Sequence, residues 1–254
     1  MRVCVGISAG TGTGSTVAGR RMSITTPVAD NIGYALYQDP SLATAFGNTG
    51  NSRVLVLFNT FLSFTQTKTV SVHGQLTPGQ TGHSVGNYLS TLTVSAQAQP
   101  YSLFGSPPDC GTTGGTTLAP TTFQAHLLLN PACTVSAAPL DFGTVGALTG
   151  HNATSNIAVT CTRSAAYSIA LNGGTVTNTV ANRQMRLGAG PNTVSYQLYR
   201  DAGRTLVWGN TAGNVVGGTG NGLAQSVPVY GRVPPQAAKP TGTYEDTVTA
   251  TVTY

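Results

Sequence analysis

The residues best placed to do chemistry lie near the start of the chain. Gly6-Ile7-Ser8-Ala9-Gly10 fits the Gly-x-Ser-x-Gly pattern, which in hydrolases presents a nucleophilic serine on a strand-to-helix turn. Glycine- and threonine-rich text follows in residues 11–16, where a hydrolase would begin a helix. The pattern therefore indicates a glycine-rich loop, and we expect that the chain is not an enzyme.

Metal and cofactor chemistry lack the spacing that they need. The histidines are far apart and form no His-x-x-x-His pair, and the cysteines form no Cys-x-x-Cys pair. No Gly-Lys-Ser/Thr follows a glycine-rich loop, so phosphate binding of the P-loop type is not expected. We expect no metal and no cofactor. The histidines are His73, His83, His126 and His151.

Four cysteines in a glycine-rich, charge-poor chain favour disulfides and an oxidising compartment. Cys133 and Cys161 lie 28 positions apart, and a bridge between them would stabilise the fold by roughly 3 to 4 kcal/mol. For Cys4, the only other partner in this chain is Cys110, so this second disulfide is possible.

Composition excludes several classes of protein. Only 7% of the residues are charged, 40% are hydrophobic, and the net charge is +5. The basic residues are scattered, with Arg20-Arg21 as the only adjacent pair, so we expect no nucleic-acid binding. No run of about twenty apolar residues exists, so no membrane span is expected.

The elements that must position these residues are written twice, at a nearly constant spacing of about 160 residues. The matched text comprises Arg20-Arg21-Met22 with Arg183-Gln184-Met185, Tyr34-Ala35-Leu36-Tyr37-Gln38-Asp39 with Tyr196-Gln197-Leu198-Tyr199-Arg200-Asp201, Phe46-Gly47-Asn48 with Trp208-Gly209-Asn210, and Gly86-Asn87-Tyr88 with Gly242-Thr243-Tyr244. Asp39 and Asp201 are expected to cap turns.

Short alternating strands with turn signals between them predict an all-β fold of two tandem β-sandwich domains. The predicted boundaries are residues 1–105, a linker over 106–120 that is rich in proline, glycine and threonine, and residues 121–254. The first copy begins further along the repeat than the second, and no signal peptide precedes it. We therefore expect that the start of the sequence is truncated.

An apolar run marks the largest difference between the copies. It extends from Val54 to Phe64 where the second copy has glycine-rich text, residues 213–220. A buried strand is one interpretation. An exposed apolar loop that binds surfaces is the other, and its candidate residues are Leu55, Val56, Leu57, Phe58, Phe61 and Leu62.

The spaced motifs resemble the spore coat protein U domain, a family that includes the pilins of archaic, Csu-type chaperone/usher pili. Two tandem copies resemble the tip adhesin of such pili. The motifs are Cys133-Thr134-Val135, Asp141-Phe142-Gly143, Val159-Thr160-Cys161, Arg183-x-Met185, Tyr196-x-Leu198-Tyr199-x-Asp201, Trp208-Gly209 and Gly242-x-Tyr244-x-Asp246-Thr247-Val248.

The resemblance implies an immunoglobulin-like fold, incomplete in the C-terminal domain, which would accept a strand from a neighbour. Its groove candidates are Phe123, Ala125, Leu127, Val248, Ala250 and Val252. The implied partners are a periplasmic chaperone, an outer-membrane usher and the adjacent pilin. The implied role is extracellular, at a pilus tip after transit through the periplasm, in attachment to abiotic or host surfaces and biofilm formation. A secreted structural coat protein without an adhesive site is the alternative.

Overall fold

The computed structural model describes residues 1–58, 65–102, 105–112 and 114–254. Almost all of their regular secondary structure is β-strand, which confirms the all-β prediction. The residues divide into unit 1, Met1–Asn130, and unit 2, Pro131–Tyr254. The strands of unit 1 are β1 (Arg2–Ile7), β2 (Arg20–Ile24), β3 (Asp30–Tyr37), β4 (Val54–Leu57), β5 (His73–Leu76), β6 (Gly86–Gln99), β7 (Thr116–Thr117) and β8 (Thr121–Leu129).

The strands of unit 1 follow the order β4-β1-β6-β2-β3-β5, and β7 and β8 also pair with β6. Alternation decides which side chains enter the core, because successive residues of a strand point to opposite faces. In β3, Ile32, Tyr34 and Leu36 are buried while their neighbours are half-buried. They pack with Ile7, Met22, Ile24, Phe46, Tyr88 and Leu92.

Unit 2 repeats this arrangement, with the counterparts of β3 and β6 each divided into two shorter strands, and two further strands precede it. Its elements are β9 (Cys133–Ala137), β10 (His151–Cys161), β11 (Ala166–Leu171), α1 (Gly174–Thr177), β12 (Gln184–Leu187), β13 (Thr193–Ser195), β14 (Gln197–Tyr199), β15 (Val216–Thr219), β16 (Ala224–Val233), β17 (Tyr244–Glu245) and β18 (Ala250–Thr253). Their sheets are β14-β16-β10-β9, β15-β11-β18 and β13-β12-β17.

A buried arginine stands at the same place in each unit. Arg20 donates hydrogen bonds to the carbonyl oxygens of Ile7 (2.8 Å), Ser8 (2.9 Å) and Phe46 (2.8 Å). Arg183 likewise donates to the carbonyls of its counterpart strand end, at Leu171 and Asn172. Burial lowers the pKa of both guanidinium groups. These arginines hold the end of β1 or β11 through backbone atoms, which explains the repeated Arg-x-Met text.

The packing corrects the domain boundaries expected from the sequence. Strand β8 belongs to unit 1, because it pairs with β6 from Gly86↔Leu129 to Val94↔Thr121. The expected linker is also attached to unit 1, since β7 pairs with Gln97 and Ala98 of β6. The first structural unit therefore extends to Asn130 and includes residues that the sequence pattern assigned to the second domain.

Candidate strand-acceptor edge and apolar strand

Ser8 has a structural environment. Its hydroxyl oxygen accepts hydrogen bonds from the backbone N–H groups of Thr93 (2.9 Å) and Gly10 (3.3 Å). Residues 8–19 contain no helix, so the strand-to-helix turn of a hydrolase is missing there. Ser8 thus continues the pairing of β1 with β6 beyond the end of the strand.

Strand β8 completes the core of unit 1. Its residues alternate in exposure, and Phe123, Ala125, Leu127 and Leu129 pack against the hydrophobic cluster while Gln124 and His126 are exposed. On the facing strand, Tyr88, Ser90 and Leu92 have no exposed surface. A strand that pairs with a sheet in this way forms hydrogen bonds with the backbone of the neighbouring strand, and its inward side chains pack into the hydrophobic core.

This placement corrects half of the predicted groove. Phe123, Ala125 and Leu127 do not line a groove with Val248, Ala250 and Val252, because they already fill the core of unit 1. The sequence suggested otherwise because β8 lies at the start of the predicted second domain, residues 121–254. Pairing, which sequence proximity does not reveal, assigns it to the first.

In unit 2 the counterpart of β6 is the pair β17 and β18. One edge of these strands is paired, Leu187 with Tyr244 and Ile169 with Val252. Among the described residues no strand pairs with the opposite edge, which we call the acceptor edge. Its inward-facing side chains, Tyr244, Asp246, Val248, Ala250 and Val252, are only half-buried.

Asp246 is the polar group of the acceptor edge. Its carboxylate accepts hydrogen bonds from the backbone N–H groups of Thr175 (2.8 Å) and Val176 (3.1 Å) at α1, and from the hydroxyl of Tyr196 (2.7 Å). Burial raises the pKa of the Tyr196 phenol well above its usual range, and the Asp246 carboxylate raises it further. In the sequence Asp246 stands out only as part of a motif, and no local signal there indicates this contact.

The connector between β6 and β8 is fastened to β1. Cys110 forms a disulfide with Cys4, and Arg2 donates hydrogen bonds to the backbone carbonyl of Asp109 and, at 2.9 Å, to the hydroxyl of Thr112. Arg53 donates to the carbonyl of Cys110. These contacts hold the connector on the sheet immediately before β8. The second disulfide joins Cys133 and Cys161, which face each other across β9 and β10.

The apolar run of the first copy begins as an edge strand. Val54 to Leu57 form β4, which pairs with β1 and is the counterpart of β15 in unit 2. Leu55 and Leu57 are 40% and 42% exposed, whereas Val56 and Phe58 are half-buried. Phe61 and Leu62 lie outside the described residues. The first part of the run thus combines both expectations, since it is a strand that presents two leucines to solvent.

The two turn aspartates act as predicted. The Asp39 carboxylate accepts hydrogen bonds from the Ser41 hydroxyl and from the N–H groups of Ala43 (3.1 Å) and Thr44 (2.7 Å). Asp201 accepts from the N–H groups of Leu206 (2.7 Å) and Thr205. These donors lower the pKa of both carboxyl groups.

One matched pair of glutamines is not evident from the repeated motifs. The Gln80 amide accepts from the N–H of Gly33 and donates to its carbonyl (2.9 Å), and Gln236 makes the same two bonds to Ser195 at 3.0 Å each. Both glutamines precede their Gly-x-Tyr motif by the same number of residues. Extending the repeat alignment through the loops would have found them.

Ligand-binding groups are sparse in the described part of the chain. No group of three or more histidine, cysteine, aspartate or glutamate side chains is arranged there to hold a metal ion. The His83 Nδ1 lies 3.2 Å from Asp30, whose carboxylate also accepts a hydrogen bond from Tyr88. No helix among these residues is long and apolar enough to cross a membrane.

Comparison with known proteins explains the duplicated scaffold. The sequence profile of the Spore Coat Protein U domain matches residues 1–95 and 119–251. The chain belongs to the spore coat protein U domain family. Protein U of Myxococcus xanthus is 38% identical over an alignment of 127 residues, and the match covers 45% of this chain and 71% of that protein. The second match includes β8, which by sequence belongs to the second copy and by packing to unit 1.

A solved protein structure has a similar fold. The complex of the chaperone CsuC with the tip adhesion subunit CsuE, from the archaic chaperone-usher Csu pili of Acinetobacter baumannii, matches with a TM-score of 0.55. The match covers 100% of this chain and 85% of that chain at 16% sequence identity. The profile match confirms the predicted family, and the likeness to this solved structure confirms the predicted fold.

Proposed function

We propose that this chain is an adhesin subunit at the tip of a chaperone–usher pilus, exported through the periplasm and mediating attachment to surfaces and biofilm formation. One observation carries the proposal: unit 1 is closed by strand β8 of the same chain, whereas the equivalent edge of unit 2 is unpaired among the described residues. In such a chain, unit 2 can accept a strand from a neighbouring subunit, and unit 1, which is already complete, can bind a surface.

The acceptor edge would first bind a periplasmic chaperone and later, at an outer-membrane usher, a strand of the adjacent pilin. Strand addition supplies backbone hydrogen bonds and apolar contacts at once. The likeness to the CsuC–CsuE complex supports this through the fold. Val248, Ala250 and Val252 are half-buried and alternate along β18 and the residues before it, as groove-lining side chains should.

A lysine substitution in the groove tests the assembly step. Val248→Lys places a charge where an entering strand must pack, so capture by the co-expressed chaperone and incorporation into pili should both be lost. Thr249→Lys is the matched control, because Thr249 is exposed. Equal chaperone capture by the two variants would contradict the assignment of the edge.

Attachment would involve β4 and the residues that follow it. Leu55 and Leu57 are exposed and adjacent to the rest of the apolar run. Exposed apolar patches mark binding surfaces. The variant Leu55→Ser/Leu57→Ser/Phe61→Ser should reduce adhesion to plastic while pili still assemble. Leu223→Ser, which changes an exposed leucine of unit 2, should leave adhesion intact. Undiminished adhesion of the triple variant would refute this surface.

A secreted structural coat protein is the second candidate, and the family's description, Spore Coat Protein U domain, favours it. Such a protein would not need an adhesive surface on unit 1. The adhesion measurement above separates the two candidates, since a coat protein should assemble normally and show no attachment for the leucine substitutions to remove.

A further inference from the structure

Strand β8 shows which side chains complete a unit of this fold. Across the β6–β8 pairing, Phe123 stands opposite Leu92, Ala125 opposite Ser90 and Leu127 opposite Tyr88. The inward-facing sequence of the completing strand is therefore large, small, large. Side chains directly opposite each other in an antiparallel pair are in contact, so each inward residue must fit its partner.

The acceptor edge has three inward positions equivalent to those of β6, and the central one carries a different functional group. The Gly-x-Tyr motifs align Tyr88 with Tyr244, and the alternation then aligns Ser90 with Asp246 and Leu92 with Val248. The central position thus carries a carboxylate in place of a hydroxyl. A strand that paired with this edge as β8 pairs with β6 would place its small residue beside Asp246.

Asp246 cannot move aside for a larger residue. The carboxylate is held by α1 and by the Tyr196 hydroxyl, and it lies so close to Gly174 that a Cβ at that position would overlap it. Gly174 also has a φ of +79°, which glycine adopts readily. The carboxylate therefore occupies a fixed position on the floor of the groove.

We propose that Asp246 selects the strand that unit 2 accepts. The partner is an extended segment, antiparallel to β17 and β18, with large apolar residues opposite Tyr244 and Val248 and a small, uncharged residue opposite Asp246. An acidic residue at that position would bury two like charges side by side, and a bulky one would meet the fixed carboxylate. Val248 is smaller than Leu92, so the position opposite it has room for an aromatic ring. This inference rests on the proposed function.

Hydrogen exchange on the full chain tests the inference with peptides of defined sequence. The first peptide copies Thr121–Leu129, the second carries Ala125→Glu, and the third carries Gln124→Glu, an outward position with the same added charge. The first and third should protect residues 242–250, and the second should bind at least about tenfold more weakly. Unchanged protection of residues 121–129 will show that β8 has not been displaced.

The possible outcomes separate this inference from the proposed function. If none of the peptides protects residues 242–250, both the acceptor edge and its selectivity are refuted. If the Ala125→Glu peptide binds as well as the Gln124→Glu peptide, the edge stands and the selectivity of Asp246 is refuted. The isosteric variant Asp246→Asn removes the charge but keeps the size, so it should regain binding of the Ala125→Glu peptide. It should not gain binding of an Ala125→Phe peptide.

Discussion

Strand β6 of unit 1 and its counterpart β17 and β18 in unit 2 carry related sequences in different surroundings. Tyr88 and Leu92 are completely buried, whereas Tyr244 and Val248 are half-buried. The difference comes from β8, which covers β6 and has no counterpart beside β17 and β18 among the described residues. The two copies of the scaffold thus differ in whether the second edge of their last strand is paired.

The segment that matches a family model and the unit that folds together need not coincide. Strand β8 lies within the second family match, residues 119–251, yet it fills the core of unit 1. A segment at the front of one copy can therefore complete the copy that precedes it. The same relation between successive chains would build a fibre, which is why the comparison supports the proposed function.

The largest expected effect concerns the disulfides, which close loops of different length in the two units. The Cys4–Cys110 loop spans 106 residues and the Cys133–Cys161 loop 28. Chain entropy then gives about 4.8 kcal/mol for the first bridge and about 3.6 kcal/mol for the second. Urea unfolding of Cys4→Ala/Cys110→Ala and Cys133→Ala/Cys161→Ala should show the larger loss in unit 1. Equal losses would contradict the loop-length argument.

The buried arginines should matter equally in both units. Arg20→Met and Arg183→Met each leave buried carbonyl oxygens without donors, at a cost of about 3 kcal/mol. Trp208, the single tryptophan, reports on unit 2 through its fluorescence, and hydrogen exchange of β3 reports on unit 1. Arg183→Met should shift the Trp208 transition while Arg20→Met should not. A shift of the same size from both variants would show that the units do not unfold independently.

A smaller effect tests whether β8 stabilises unit 1 alone. Phe123→Ala should cost about 2 kcal/mol, less than a fully buried phenylalanine, because Phe123 is half-buried. The loss should appear as faster hydrogen exchange in β6 with an unchanged Trp208 transition. Gln124→Ala, at the neighbouring exposed position, should have almost no effect. Faster hydrogen exchange in β17 or β18 would contradict the assignment of β8 to unit 1.

The smallest effect concerns the exposed turn aspartates, which both units share. Hydrogen bonds depress the folded-state pKa of Asp39 and Asp201 below 3.8, so their stabilisation is complete above that pH. It is lost as the pH falls through the folded-state pKa. Melting temperatures of Asp39→Asn and Asp201→Asn should therefore fall less steeply than those of the unsubstituted chain below about pH 4. Identical pH profiles would contradict this role.

Local pattern was sufficient for much of the molecule. Alternation predicted the strands, and the repeated Arg-x-Met, Leu-Tyr-x-Asp and Gly-x-Tyr motifs revealed two copies of one unit. Asp39 and Asp201 were identified as turn caps because an aspartate interacts with backbone a few residues away, which is a local property. The cysteine pairs agreed as well, since four cysteines leave few ways to pair.

Other features depend on contacts between residues far apart along the chain. The sequence placed Leu55 and Phe58 in one apolar run, but only pairing with β1 decides that Leu55 faces solvent and Val56 does not. Local sequence likewise does not reveal the contact of Gln80 with Gly33, because the two residues are 47 positions apart.

Side-chain alternation and spaced motifs are local properties of a sequence. They are therefore enough to identify an all-β chain, its duplication and its membership of the spore coat protein U domain family. The completion of unit 1 by β8, and the unpaired acceptor edge of unit 2 among the described residues, become visible only in the folded chain. The sequence of a strand does not specify which other strand it pairs with. The alternation of Phe123, Ala125 and Leu127 predicts a strand with one apolar face, and the pairing with β6 determines which core that face enters.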